Sequence, residues 1–119
     1  MDQSRLPEPL RARMAELDAR SSLQRVRDLL RSYVLGADGL EDVRAEFADS
    51  ARTSTRFLRQ DLAAVETVLA ADLSPGTLLR LVEDDANWGL DHDPTDARAA
   101  VFLREVADVL RSVIGDIDD

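Results

Sequence analysis

The chain has no cysteine and no lysine, and only one histidine, one tryptophan and one tyrosine among 119 residues. Each shortage removes a chemistry. Without cysteine there is no thiolate nucleophile, disulfide framework or thiol-bound metal. A lone His92 leaves zinc catalysis short of ligands. It also stands without a Gly-x-Ser-x-Gly elbow or comparable nucleophile, so it reads as an exposed loop histidine. The five glycines are scattered as caps and turns, which excludes a glycine-rich phosphate loop. Uninterrupted apolar runs such as Ala99-Ala100-Val101-Phe102-Leu103 fall far short of the ~20 residues of a membrane span. Met1-Asp2-Gln3-Ser4-Arg5 has none of the basic-then-apolar pattern of a secretory leader, and a cytoplasmic location is expected. No cofactor is expected either.

What is present is an ordinary globular composition, 45% apolar and 33% charged, in a length suited to one domain. The formal net charge is -9. Phosphates would be repelled by it, which argues against direct binding of nucleic acid and in favour of a basic partner. All 15 basic residues are arginine, a bias that fits a GC-rich coding sequence.

Apolar spacing predicts helices throughout. Residues 1–9, with Pro7 and Pro9, read as a breaker-rich lead. Leu10, Met14 and Leu17 then suggest a short first helix. Leu23, Val26, Leu30, Tyr33 and Val34 form one stripe that Gly36 stops. Leu40, Val43, Phe47 and Ala51 follow, with Glu41 and Asp42 in the first turn, where the helix dipole favours acids. After Thr53-Ser54-Thr55, a further stripe runs through Leu58, Leu62, Val65 and Leu69. Ser74-Pro75 looks like a cap and first position for a short helix that turns Leu78, Leu79 and Val82 inward. The last helix follows Asp93-Pro94 and carries Ala97, Val101, Val106, Leu110, Val113 and Ile114 up to Gly115. No segment sustains period-2 alternation. The expected fold is all-α, a single domain over residues 10–115 with five or six helices, little or no sheet, and an acidic tail at 116–119.

Charge is placed unevenly. Residues 83–119 hold 11 acids against 3 arginines, a net of -8, whereas residues 1–82 are nearly balanced. Within residues 83–96 the carboxylates Glu83, Asp84, Asp85, Asp91, Asp93 and Asp96 have no arginine among them and surround Trp88. Two readings fit. One is a solvated loop in which Asp93 and Asp96 serve the start of the last helix. The other is a partner-binding patch built from an aromatic anchor and a charged surround. Trp88 itself reads either as a core plug or as an edge contact.

Metal chemistry finds less support. Asp91-x-Asp93 opens like a calcium loop, but Asp96 stands where glycine is needed and Phe102 where a bidentate glutamate is needed. Glu46-x-x-Asp49 and Glu105-x-x-Asp108 each put two carboxylates on one helical face, as in magnesium-dependent all-helical nucleotide pyrophosphohydrolases. The Glu-x-x-Glu element of those enzymes is missing, so a non-catalytic role is expected, with such a hydrolase as the alternative.

From Arg25-Val26-Arg27-Asp28-Leu29-Leu30-Arg31-Ser32-Tyr33-Val34 onward, the order of elements resembles small helical immunity proteins of bacterial contact-dependent growth inhibition systems. The Leu-Leu-x-Ser-Tyr opening is followed by an acid-rich helix with Phe47 and then by Leu62-Ala63-Ala64-Val65-Glu66-Thr67-Val68-Leu69. A Ser-Pro restart and a terminal amphipathic helix complete the pattern over Leu23 to Ile114. Leu35-Gly36-Ala37-Asp38-Gly39 departs from the polar-aromatic segment usual there. The resemblance implies a cytosolic protein that occludes the active site of a cognate toxin, often a basic nuclease. A general interaction module or secretion chaperone is the non-enzymatic alternative.

Overall fold

Apolar stripes at helical spacing can leave water only by facing one another, and five helices do this in the computed structural model, which describes residues 20–90 and 93–118. Among these there is no strand, and the all-α expectation is met. Helix α1 spans residues 20–29 and ends in a π-helical turn, Leu30–Val34. The Leu35 amide donates to the Leu30 carbonyl at 2.8 Å. Gly36 then takes φ +85°, a left-handed conformation natural to glycine, and stops the helix where the sequence places the stop. Helix α2 is Leu40–Thr53, with Glu41 and Asp42 in its first turn and the Asp42 carboxylate accepting the Asp38 amide at 3.0 Å. Helix α3 is Arg56–Ala70, and α4 is Thr77–Arg80 continued by a second π-helical turn, Leu81–Asp85. Helix α5 is Asp96–Asp118.

The core lies where α2, α3 and α4 meet α5. Val26, Leu30, Val34, Val43, Phe47, Val65, Leu103, Val106 and Leu110 are fully buried. The Tyr33 ring packs on Phe47 at 4.9 Å between centroids, and its hydroxyl pairs with Ser50 Oγ at 2.7 Å, so the only tyrosine joins α1 to α2.

Several local expectations are corrected. Ser74-Pro75 does not begin a helix. The Ser74 carbonyl accepts the Thr77 amide at 3.1 Å, and Gly76 has φ +86°, so Pro75-Gly76 is the centre of a turn and α4 starts after it. The following π-helical turn shifts the inward face, leaving Leu78 and Leu79 half-buried while Leu81 and Val82 are buried. In α3 the buried line is Leu58, Asp61, Val65 and Val68, with Leu62 and Leu69 flanking it. In α5, Ala97 is exposed and the stripe begins with Ala99, Phe102 and Leu103. That helix runs through Gly115 to Asp118, so most of the expected acidic tail is helical. A helical glycine costs only about 1 kcal/mol relative to alanine, so Gly115 weakens the helix there without ending it. The expected lead at 1–9 and the helix through Leu10, Met14 and Leu17 lie outside the described residues.

Burial now separates two leucines of the predicted stripes. Leu30→Ala is expected to destabilise the fold by about 3–5 kcal/mol and Leu62→Ala by less, about 1–2 kcal/mol, in urea unfolding. Equal losses would contradict the observed orientation of α3.

Candidate functional site

The acidic segment 83–96 is held at both ends by its own carboxylates. Asp96, at the start of α5, accepts the backbone amides of Gly76 at 2.7 Å and Leu79 at 3.0 Å. It therefore satisfies amides at the start of α4 and ties that helix to α5. These amide bonds hold its carboxyl below the ordinary carboxylate range. The cap of α5 is Thr95 instead, whose hydroxyl accepts the Arg98 amide at 3.2 Å and donates to Asp93 Oδ1 at 3.1 Å. Of the two acids that the solvated-loop reading assigns to the start of α5, Asp96 stands in its first turn but accepts amides at the start of α4, and Asp93 acts there through the Thr95 hydroxyl.

At the other end Asp85 is buried, and it is compensated. Arg31 reaches it from α1 with Nε at 2.9 Å and Nη2 at 2.8 Å from Oδ1, and Arg27 Nε stands 3.7 Å from Oδ2. Asp85 is thus a structural anchor. Its partners lie more than 50 residues away in the chain, which is why a scan for nearby arginines misses them.

Between these anchors the chain reverses at Asn87, whose φ of +50° is left-handed, and the Trp88 amide donates to the Val82 carbonyl at 3.1 Å. The indole is turned back onto α5 and stacks on Phe102, with ring centroids 4.8 Å apart and planes at 29°. Phe102 is buried and Trp88 half-buried, so Trp88 packs against the core and also borders the surface. It walls a pocket of about 160 Å³ with Leu90, Asp93, Phe102 and Glu105.

Glu83 and Asp84 are exposed and make no ion pair among the described residues. Asp84 borders a second, larger cleft of about 540 Å³ with Arg27, Arg31 and Arg80. The five described carboxylates of the segment therefore divide between different surroundings. Asp85 and Asp96 hold the segment, Asp84 faces the arginine-lined cleft, Asp93 faces the Trp88 pocket, and Asp91 and His92 lie outside the described residues.

The carboxylates of the hydrolase alternative do not converge. Asp49 is near Arg52 at 3.9 Å, Asp108 pairs with Arg111 at 2.8 Å, and Glu46 is exposed. Among the described residues, no group of three acidic or histidine side chains could hold a metal ion.

Sequence patterning misses Asp61, a buried carboxylate on the inward line of α3. Arg25 donates to it from α1 at 2.8 Å. Burial raises the Asp61 carboxyl above its ordinary range, against the opposing pull of Arg25. The signal in the sequence is an acid at position 61, three residues after Leu58 and four before Val65.

Two consequences are measurable. Asp85→Ala strands two guanidinium groups and is expected to cost about 1–3 kcal/mol, discounted because both arginines are substantially exposed, while Asp84→Ala stays within about 0.5 kcal/mol in the same urea titration. The second concerns pH. Stability from Asp96 is present above the ordinary carboxylate range, about pH 4, and is lost as pH falls through its depressed value. Stability linked to Asp61 is present below that range and is lost as pH rises through its raised value. Asp96→Asn should therefore flatten the acid limb of stability against pH. Asp61→Asn should make stability climb more steeply just above pH 4.

Set beside protein-family models, curated proteins and solved structures, the chain gives no match in any of the three.

Proposed function

We propose that this chain is a non-catalytic immunity-type protein that binds a basic toxin domain, of the nuclease class, and blocks it. The observation that carries the reading is the exposure of Glu83 and Asp84 without ion-pair partners among the described residues, on a segment fixed to the fold at Asp85 and Asp96. Arg27, Arg31 and Arg80 border the cleft beside Asp84, but neither acid is within ion-pair distance of an arginine among the described residues, so both stay open to neutralisation by a basic partner. A nuclease carries positive potential to hold phosphates. Carboxylates presented on a held segment can stand in the positions of those phosphates, and the field of a chain with net charge -9 would speed the encounter.

The contact set is narrower than the sequence alone suggests. Glu83, Asp84, Trp88 and Asp93 remain available, with Asp91 adjacent in sequence, while Asp85 and Asp96 serve the fold. The adjoining reading frame is expected to encode a secreted protein that ends in a toxin domain. Against that domain, a Glu83→Gln, Asp84→Asn, Asp93→Asn variant should associate about tenfold more slowly at low salt, with a flatter salt dependence and unchanged unfolding. It should also protect cells less well. Unchanged association at both salts would place the contact surface elsewhere, and absence of any binding by the parent protein would overturn the reading.

A further inference from the structure

We propose that the pocket beside Trp88 receives the guanidinium group of an arginine side chain from the partner. That the partner is a toxin rests on the reading above; the chemistry of the pocket does not. The pocket holds about 160 Å³, the scale of one long side chain and too small for a nucleotide or a helix. Its walls differ in kind. One is the indole of Trp88, backed by buried Phe102 and so held in place. The others carry the Asp93 and Glu105 carboxylates, with Leu90 between loop and core.

Among the described residues Arg98 is the one cation at the rim and makes no ion pair, so the described lining, with Asp93 and Glu105, sums to a charge of -1. An anion is repelled there, and a neutral apolar group leaves two carboxylates unpaired. A guanidinium answers each wall. It is planar and weakly hydrated, it lies against an aromatic face, and its fork of N–H donors suits carboxylates. Its methylene stem can rest on Leu90. An ammonium group offers the charge without the plane or the fork.

Trp88 is the only tryptophan, so its emission reports on this pocket alone. Titration with N-acetyl-L-arginine amide should give a saturable change in that emission. The corresponding citrulline amide, neutral and of similar shape, should give none, and the lysine amide should bind about fivefold more weakly. The double variant Asp93→Asn, Glu105→Gln should weaken the arginine probe about fivefold, whereas Arg98→Gln, which removes the competing charge, should tighten it about twofold. Opposite signs from two changes at one pocket cannot come from misfolding.

No saturable response to the arginine amide, an equal response to citrulline amide or lysine amide, or Arg98→Gln acting in the same direction as the carboxylate changes would overturn the proposal. Arginine binding without toxin binding would leave the pocket standing and overturn the toxin reading. Toxin binding without any arginine response would do the reverse.

Discussion

The apolar face of α5 is the surface on which the rest of the described fold is packed. Phe102, Leu103, Val106, Ala107, Leu110 and Val113 are buried along it, and α2, α3 and α4 each pack against it. Burial of this kind is non-directional and scales with area, so it draws the helices together without choosing their exact angles. Polar contacts bridge the same helices at the surface. Glu66 meets Arg111 at 2.8 Å across α3 and α5, and Arg44 meets Ser112 at 3.0 Å across α2 and α5.

The acidic segment follows from the same division. A chain with this much negative charge in its last third has to hold those residues in place against their mutual repulsion. It does so by giving two carboxylates inward tasks. Asp85 is neutralised by arginines of α1, and Asp96 by amide dipoles at the start of α4. No buried side-chain polar atom among the described residues is left without a hydrogen-bond partner. Among the described residues of the segment, the acids that remain outward are Glu83, Asp84 and Asp93.

That arrangement also separates two concave surfaces of opposite character. Asp84 stands beside a cleft rich in arginine, whereas Asp93 and Glu105 stand beside an aromatic pocket with one arginine at its rim.

Helix type and approximate extent were legible in the chain because an apolar stripe with a 3.6-residue period has few other ways to be buried. Val26, Leu30 and Val34 in α1 and Val43, Phe47 and Ala51 in α2 lie where their spacing puts them. The Gly36 stop was legible for a similar reason, since φ +85° costs glycine little. The π-helical turns, and with them the inward face of α4, were not legible, because one extra residue in a turn leaves no mark on the local pattern. The partners of Asp61, Asp85 and Asp96 were hidden as well, since Arg25, Arg31 and the Gly76 amide lie 36, 54 and 20 residues away. Composition and periodicity determined that this chain is helical and acidic. Only the tertiary structure decided which acids hold the fold and which face outward, because ion pairing and burial depend on distances that sequence separation does not encode.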